Sequence, residues 1–316
     1  MRIAITGGTG FVGRHLAREL ARNGHEVVLV ARGHDRRDPS LLHEPRIGMI
    51  AANTHDVKGL QEAFAGCASV AHCAGINREI GSQTYESVHV QGTASVVTAA
   101  RGAGVEKVVM LSFLRARPNC GSGYHESKWQ AEQLVGESGL DFTIVKASMT
   151  YGRGDHMLDH LSHLLYTAPV FVTVGLRERI VRPVAVQDLV TVLVAALTEN
   201  RLSHQTVAVM GPESVTLSQV ARRVDRLTGR PAVVVRAPAL FNRAVASLAE
   251  RFMRIPLASK AQVRMLQEGL DQAWGDIDTL PDDLVPRTPL SDDVLRAGLP
   301  PAGSFTFADL RLGGTV

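Results

Sequence analysis

Met1 to Arg32 reads MRIAITGGTGFVGRHLARELARNGHEVVLVAR, and this stretch decides the fold. A short apolar run at residues 3–5 suits a buried parallel strand. Glycines follow at three-residue spacing, and the apolar residues behind them recur at helical spacing. A second apolar run, Val27 to Val30, closes a β-α-β unit of about 30 residues. The stretch therefore predicts an α/β fold of the Rossmann type, a doubly wound parallel sheet.

The glycines of this unit each have a physical role. Gly7 lets the chain turn sharply out of the strand, Gly10 lets the backbone approach a pyrophosphate, and Gly13 lets the helix pack closely on the sheet. The free N–H groups and partial positive charge of the first helical turn favour phosphate. The alternative is a structural strand-to-helix turn with no ligand. The predicted contacts of a bound dinucleotide are Gly7, Thr9, Gly10, Phe11, Val12 and Gly13.

The end of the second strand indicates which dinucleotide binds. NAD-preferring enzymes usually have Asp or Glu here, which binds the ribose 2′-hydroxyl. This chain has Arg32 instead, with Arg36 and Arg37 nearby. A guanidinium can bind a 2′-phosphate through two hydrogen bonds, whereas a carboxylate would repel it. We therefore predict NADP in preference to NAD, with a solvated basic loop as the alternative interpretation.

The loop TGGTGFVG at residues 6–13 has the spacing GxxGxxG and resembles the short-chain dehydrogenase/reductases, in their extended and atypical branches. The segment PVAVQDLV at 183–190 and the strand, turn and helix pattern at 207–230 extend the resemblance over about residues 1–235. The chain resembles in particular the atypical subgroup that includes the nucleotide-binding accessory subunit of respiratory complex I. The resemblance implies an NADP-binding domain with a smaller C-terminal substrate domain.

The resemblance also implies cofactor contacts after the third and fourth predicted strands. Asn53 takes a position near the adenine where members often carry Asp, and its amide can still hydrogen-bond an adenine edge. Cys73, Ala74 and Gly75 match the small-residue turn that the cofactor passes over in this family. Small residues are needed there because backbone and nucleotide touch.

Tyr124 and Lys128 lie four residues apart on a predicted helix, so they share one face. An ammonium near the phenol would lower the tyrosine pKa from about 10. Tyr124 could then exchange a proton with a substrate oxygen while hydride moves to or from nicotinamide, and Lys128 would hold the ribose. Ser112, at the end of the fifth predicted strand, would polarise the same oxygen. The set predicts an oxidoreductase for a small carbonyl, alcohol or nucleotide-linked substrate.

Two departures from the family pattern favour a second hypothesis. His89 stands where members usually have an Asn that supports a water-mediated proton path, and Lys146-Ala147 replaces the commoner Arg-Pro. Several members that lack part of the catalytic set have structural roles. The alternative function is therefore a non-catalytic NADP-binding accessory or assembly protein.

Composition excludes several other classes. The net charge of +3, with scattered basic residues, gives no case for nucleic acid. No apolar run approaches the ~20 residues of a membrane span, and the N-terminus reads as a strand rather than a signal peptide. Cysteines without metal-type spacing are typical of reduced thiols in a cytoplasmic protein. These cysteines are Cys67, Cys73 and Cys120.

Three histidines could share one face of a helix: His156, His160 and His163. Two of them could bind a metal, but such histidines are more often solvated or line a polar pocket, so we predict no metal site. The sequence names neither the substrate nor the oligomeric state.

We predict three regions along the chain. They are an NAD(P)-binding domain at 1–152 with later strands interleaved, a substrate or partner domain at 153–280, and an irregular extension at 281–316. An apolar stripe at helical spacing lies between Pro238 and Pro256. A plain core helix, a lid over an apolar substrate and a helix on a membrane surface are the alternatives. Since exposed apolar surface is costly, we expect Phe241 and Phe252 to cap the cleft.

Overall fold

A computed structural model describes residues 1–32, 38–167, 170–238, 241–242, 244–247, 259–301 and 303–304. Its strands, in chain order, are β1 (Arg2–Thr6), β2 (Glu26–Ala31), β3 (Ile47–Ala51), β4 (Ser69–His72), β5 (Lys107–Phe113), β6 (Asp141–Ala147), β7 (Thr150–Tyr151), β8 (Val170–Val174), β9 (Val184–Ala185), β10 (Gln205–Val209) and β11 (Val233–Ala237). Its α-helices are α1 (Phe11–Arg22), α2 (Val57–Phe64), α3 (Gly92–Gly102), α4 (Gly123–Gly136), α5 (His156–Thr167), α6 (Val186–Thr198), α7 (Leu217–Thr228), α8 (Lys260–Glu268) and α9 (Asp292–Gly298).

The chain folds into two compact units, each assembled from three separate segments. Unit 1 comprises Met1–Ala147, Val186–Val209 and Ala273–Pro286. Unit 2 comprises Ser148–Ala185, Met210–Gln272 and Arg287–Val316.

Unit 1 is built on a parallel sheet with the strand order β3-β2-β1-β4-β5-β6-β10. This confirms the doubly wound fold that the sequence predicts. The order changes direction at β1, because the chain adds β2 and β3 on one side and β4 onward on the other. Ligands of such sheets bind at the carboxyl ends of the strands that flank this switch point. Those strands are β1 and β4, which end with Thr6 opposite His72.

The central strands of unit 1 are buried on both faces. Residues 3–6 of β1 are completely buried, and 69–72 of β4 are buried throughout. Near-continuous apolar strands of this kind occur where helices cover both faces of a parallel sheet. α6 is buried along most of its length and packs on α1, β4 and β5.

Unit 2 contains two parallel strand pairs, β8 with β11 and β7 with β9. α5 and α7 pack on each other and on β8. α7 begins at Thr216, whose hydroxyl accepts from the N–H of Gln219 while the Gln219 side chain accepts from the N–H of Thr216. This capping box fixes the start of α7 at Thr216.

The predicted irregular extension at 281–316 contains a short helix, α9. The Ser291 hydroxyl accepts from the N–H of Val294, and Asp292 and Asp293 lie in the first turn, where the helix dipole favours negative charge. Asp292 and Asp293 therefore mark the start of α9. Residues 305–316 lie outside the described residues.

The apolar stripe between Pro238 and Pro256 is described only at 241–242 and 244–247, which are helical. Phe241 and Val245 are 54% and 40% exposed, whereas Ala246 is buried. Phe252 lies outside the described residues, and the expectation that the stripe caps a cleft stays a prediction. Across the described ranges, no helix combines the length and apolar character needed to cross a membrane.

Candidate functional site

The glycine loop joins β1 to α1, and its conformation leaves no room for a side chain at Gly7 or Gly13. Gly7 has a φ of +67°, and a Cβ there would lie 2.7 Å from the backbone nitrogen of Ala74. A Cβ at Gly13 would overlap the carbonyl oxygen of Gly7. Relief of either contact would require the backbone to move, so these positions favour glycine strongly. The loop is thereby held between the end of β4 and the start of α1.

The first turn of α1 has no side-chain cap. Gly10 is the N-cap residue, no acidic residue occurs in the first turn, and the half-buried Thr9 precedes it. The first helical hydrogen bond runs from the N–H of Arg14 to the carbonyl of Gly10 at 3.0 Å. The N–H groups of residues 11–13 therefore have no carbonyl partner within the helix. Because such a terminus attracts anions, the loop fits the pyrophosphate of a dinucleotide.

The residues predicted for the adenosine end of the cofactor follow β2 and β3. These strands pair with Ala31 opposite Ala51, so Arg32 and Asn53 leave the same edge of the sheet. Both side chains are exposed, and Arg32 makes no ion pair with another described residue. Residues 33–37, which include two further arginines, lie outside the described part of the chain. An exposed guanidinium at this edge fits a phosphate on the ribose.

A carboxylate near the same edge has its own partner. Asp38 accepts two hydrogen bonds from the Arg18 guanidinium of α1, at 2.6 and 2.8 Å, and one from Ser40. The bond from Arg18 is the main reason that the pKa of Asp38 falls to about 2. The negative charge of Asp38 is therefore largely compensated by Arg18.

The turn at residues 73–75 packs against the glycine loop after β4. The N–H of Cys73 donates to the carbonyl of Thr6 at 3.0 Å, and burial raises the pKa of the Cys73 thiol to about 12. A Cβ at Gly75 would lie 3.3 Å from Nζ of Lys128 and 3.5 Å from Nε2 of His89. Three predicted features therefore meet at the carboxyl ends of β1 and β4: the glycine loop, the small-residue turn and α4.

Buried hydrogen bonds fix the His72 side chain beneath this meeting point. Its Nδ1 lies 2.7 Å from the Thr6 hydroxyl and its Nε2 lies 2.9 Å from the Thr93 hydroxyl. The Thr93 hydroxyl donates its proton to the carbonyl of His89, so it must accept a hydrogen bond from Nε2 of His72. With the ring proton on Nε2, Nδ1 of His72 accepts from the Thr6 hydroxyl. Burial lowers the pKa of His72 to about 3. His72 is therefore a neutral crosslink between β1, β4 and α3.

His89 lies in a π-helical turn, Glu86–Gln91, which leads into α3. Its Nε2 accepts from the N–H of Ile76 at 3.1 Å, so its Nδ1 donates to the Ser127 hydroxyl at 2.9 Å. Ser127 donates to the carbonyl of Tyr124 at 3.1 Å. Burial lowers the pKa of His89 to about 2. His89 thus links the turn after β4 to the start of α4, and π-turns of this kind are frequent at functional sites.

α4 carries Tyr124 and Lys128 on one buried face, as their spacing predicts. The ammonium of Lys128 donates to the carbonyl of Leu111 at 3.1 Å, and the structure forms no hydrogen bond between Lys128 and Tyr124. The Tyr124 ring packs edge-on against four rings at centroid distances of 5.3 to 5.9 Å. Those rings belong to Tyr85, His89, Phe113 and His125.

The pKa of Tyr124 moves in the opposite direction to the one the sequence predicts. Burial among the four rings raises the pKa of Tyr124, and burial lowers the pKa of Lys128 to about 8. The expectation that Lys128 lowers the tyrosine pKa is therefore wrong for this structure. The cause is physical: desolvation disfavours the phenolate, and the ammonium is bonded to a carbonyl rather than to the phenol.

Ser112 belongs to a buried polar cluster. Its hydroxyl donates to one carboxylate oxygen of Glu132, and Lys146 donates to the other at 3.0 Å. Lys146 also donates to the carbonyl of Ala116 at 3.3 Å, and its ammonium lies 5.9 Å from the ring centre of Trp274. The side chains of Glu132 and Lys146 are only 5% and 3% exposed. Sequence reasoning missed this ion pair.

The cluster limits what Ser112 can do. A serine hydroxyl has one proton, so Ser112 cannot donate to a substrate oxygen while it donates to Glu132. Its role as the group that polarises the substrate stays a prediction, and this role would require the hydroxyl to turn away from Glu132.

The histidines of α5 belong to unit 2. The rings of His156 and His160 stack at 6.0 Å, and Nδ1 of His163 lies 2.7 Å from the carbonyl oxygen of Asp159. In the described part of the chain, no group of three or more His, Cys, Asp or Glu side chains could hold a metal ion.

The doubly wound sheet, the uncapped glycine loop at its switch point and the tyrosine–lysine pair define a dinucleotide-binding Rossmann protein. Residues 7–156 match the sequence profile of a family described as NAD(P)H-binding. The 40 kDa subunit of mitochondrial NADH-ubiquinone oxidoreductase of Neurospora crassa is 23% identical, over 82% of this chain and 68% of the subunit. The ceramide reductase of Caulobacter vibrioides is 26% identical, over 75% of this chain and 73% of the reductase.

An uncharacterised protein of Mycobacterium tuberculosis is 30% identical over 89% of this chain. The chain spans only 29% of that relative's length. Among solved structures, MoeE5 with UDP-glucose and NAD has a TM-score of 0.71 at 20% identity, over 94% of this chain and 97% of MoeE5. The UDP-glucuronic acid 4-epimerase of Bacillus cereus has a TM-score of 0.71 at 18% identity, over 94% of this chain and 98% of the epimerase. At these identities the structures show the fold alone.

The chain therefore carries an NAD(P)H-binding domain at residues 7–156, and its relatives among the subunits of mitochondrial NADH dehydrogenases agree with the resemblance to the atypical short-chain dehydrogenase/reductases.

Proposed function

We propose that the protein is an NADP(H)-dependent oxidoreductase that acts on a carbonyl or alcohol group of a small or nucleotide-linked molecule. One observation carries the proposal. α4 presents Tyr124 and Lys128 beside Gly75 and His89, at the carboxyl ends of β1 and β4, where the glycine loop also lies.

Each part of this arrangement would have a separate task. The nicotinamide, when bound, supplies or accepts hydride. The N–H groups of residues 11–13 would hold the pyrophosphate, and Lys128 would hold the ribose next to the nicotinamide. Tyr124 would exchange a proton with the substrate oxygen. Ser112 would assist only after its hydroxyl leaves Glu132.

Reduction of a carbonyl requires Tyr124 to act as a proton donor. Burial raises the pKa of Tyr124, so the phenol carries its proton at neutral pH, as an unperturbed tyrosine also does. Relatives support an organic carbonyl or alcohol as the reacting group. They include the ceramide reductase, a 3-beta-hydroxysteroid dehydrogenase of Mycolicibacterium neoaurum and a putative dihydroflavonol 4-reductase of Synechocystis. As thiols outside any disulfide, Cys67, Cys73 and Cys120 suit the reducing cytoplasm that the sequence predicts.

A second candidate function is that of a non-catalytic NADP(H)-binding accessory or assembly protein. Ser112 is engaged with Glu132, and both ring nitrogens of the neutral His89 are already bonded. Lys146, which replaces the family's usual Arg, is part of the same buried cluster. A subunit of NADH dehydrogenase in Dictyostelium discoideum, 25% identical over 297 residues, also supports this candidate.

Turnover measurements on the purified full chain separate the two candidates. NADPH absorbance is followed with a panel of aldehydes and ketones that includes steroid ketones, long-chain keto-lipids and nucleotide-linked keto-sugars. We expect NADPH oxidation matched by alcohol formation for at least one compound. If NADP(H) binds in calorimetry but neither the panel nor a metabolite extract changes its redox state, the accessory function is supported instead.

Arg32→Asp should weaken NADP binding by about 100-fold or more and NAD binding far less. The new carboxylate would face a phosphate dianion in NADP but a neutral hydroxyl in NAD. Calorimetric titration of both cofactors into both proteins measures the difference. Arg22→Asp, an exposed site at the end of α1, makes the same charge change away from the strand edge and is the control. Equal losses for the two cofactors would show that Arg32 does not contact the 2′-phosphate.

A further inference from the structure

Lys128 is a buried cation in the candidate site of unit 1. The residue is only 7% exposed, and its ammonium donates to the carbonyl of Leu111 at 3.1 Å. Burial disfavours the charged form of a lysine, and here it lowers the pKa of Lys128 to about 8. The charge of Lys128 near neutral pH therefore depends on the groups that surround it.

The surroundings of Lys128 contain one negative group among the described residues. Four ionisable side chains interact electrostatically with the ammonium: His72, Cys73, His89 and Glu132. Both histidines are neutral, and the Cys73 thiol, with a pKa of about 12, keeps its proton. Glu132 is thus the anion that acts on Lys128, and its attraction opposes the effect of burial.

The hydrogen bonds of Glu132 are those of an ionised carboxylate. Its side chain lies one turn beyond Lys128 on the same buried face of α4. One carboxylate oxygen accepts from the Ser112 hydroxyl at 2.5 Å, and the other accepts from the Lys146 ammonium at 3.0 Å. A protonated carboxyl would carry a hydrogen on one of these two oxygens, so the arrangement favours the charged form.

Glu132 and Lys128 are fixed in position by neighbouring residues of one strand. Lys128 is bonded to the carbonyl of Leu111, and Glu132 is bonded to the hydroxyl of Ser112, the next residue of β5. Both side chains are buried, and the attraction between two charges is stronger in such surroundings than in water. The carboxylate is therefore held where it can act on the ammonium without a direct ion pair.

We propose that Glu132 is a positioning residue whose carboxylate keeps Lys128 in the ammonium form that binds the ribose next to the nicotinamide. The inference rests on the proposed function, which assigns this ribose to Lys128. An ammonium has three N–H donors, so two remain for ribose hydroxyls after the bond to Leu111. A neutral amine would have one donor left and no positive charge. The alternative is that Glu132 acts only as a structural anchor for Ser112 and Lys146.

Two substitutions separate the charge of Glu132 from its contacts. Glu132→Gln keeps the side-chain length and an oxygen that can accept from Ser112, but it removes the charge. Glu132→Asp keeps the charge but shortens the reach to Ser112 by one methylene. We expect the pKa of Lys128 to fall by about one unit or more in Glu132→Gln and by less than about half a unit in Glu132→Asp.

Two further variants support this comparison. Glu132→Gln alone leaves Lys146 buried without its anion, so the change is also made together with Lys146→Met, which leaves the pair neutral and should keep the protein folded. This double variant should show the same fall in the pKa of Lys128. Glu137→Gln removes an exposed carboxylate at the end of α4 and should leave the pKa of Lys128 unchanged.

Trace acetylation of the full chain, read by mass spectrometry as a function of pH, measures the pKa of Lys128 without cofactor or substrate. Calorimetric titration of NADP(H) over the same pH range gives the second readout. Affinity should begin to fall at a pH lower by about one unit or more in the two Gln-containing variants than in the wild type and in Glu137→Gln.

Three results would overturn the proposal. The first is an unchanged pKa of Lys128 in the double variant. The second is a larger fall in Glu132→Asp than in Glu132→Gln, since contacts rather than charge would then control Lys128. The third is a lowered pKa with an unaltered pH dependence of NADP(H) affinity. The acetylation result holds whether or not the substrate panel shows turnover, so a failure of the proposed reaction is distinguishable from a failure of this inference.

Discussion

Lys146→Met should destabilise unit 1 by about 3–5 kcal/mol at neutral pH, because it leaves a buried carboxylate without its cation. Glu132 and Lys146 are joined at 3.0 Å and are both almost completely buried. Methionine can occupy much of the space of the lysine side chain, so the lost charge rather than a cavity dominates. Ser112 would remain as a neutral donor to Glu132.

The loss should depend on pH in a defined direction. Burial already raises the pKa of Glu132 with Lys146 present, and removal of the ammonium should raise it further. When a carboxyl has a higher pKa in the folded state than in the unfolded state, the folded state binds its proton more tightly. This contribution to stability is complete only below the unfolded-state pKa of about 4.3. That contribution is lost as the pH rises through the folded-state pKa. The deficit of Lys146→Met should therefore be larger at pH 8 than at pH 5.

Urea unfolding followed by tryptophan fluorescence measures this loss in unit 1, because both tryptophans, Trp129 and Trp274, belong to that unit. Adding Glu132→Gln to Lys146→Met should recover most of the stability, since no buried charge is then left alone. Arg201→Gln, which breaks an exposed pair with Asp283, should change little. A double variant as unstable as Lys146→Met, or a loss that is the same at both pH values, would contradict the explanation.

The sequence predicts the fold and the loop because both depend on neighbours along the chain. The turn at Gly7 and the close packing of Gly13 on the backbone of Gly7 both arise within one short segment. The three-residue spacing of the glycines is therefore visible in the sequence. The apolar strands are equally local signals. Right-handed crossovers restrict how β-α-β units assemble, and the structure confirms the doubly wound sheet.

The polar cluster could not be predicted in the same way, because its members come from three elements. Ser112 and Lys146 are register partners in β5 and β6, and Glu132 reaches them from α4. One signal was available: Tyr124, Lys128 and Glu132 recur every four residues, so they share a helix face. The raised tyrosine pKa depends on rings from several separate segments, which no spacing reveals.

Tyr124→Phe should lower kcat for carbonyl reduction by about 100- to 10,000-fold, because it removes the proposed proton donor. The phenylalanine ring would keep the edge-on packing against its four aromatic neighbours. The Tyr124 hydroxyl makes no hydrogen bond with any described residue, so its loss leaves no protein partner unpaired. The equilibrium constants for unfolding and for NADPH binding should therefore each change by less than about threefold.

Tyr85→Phe is the matched control for this prediction. Tyr85 packs at 5.6 Å from Tyr124 and stacks on His89, but its hydroxyl donates to the carbonyl of Asn77. Its loss should leave kcat within about threefold of the wild type, because a bond to a backbone carbonyl outside the proton path contributes little to the reaction. Steady-state kinetics with the best substrate of the panel compares the three proteins. Equal losses for the two variants would mean that the aromatic cluster acts structurally, and unchanged turnover in Tyr124→Phe would remove Tyr124 as the proton donor.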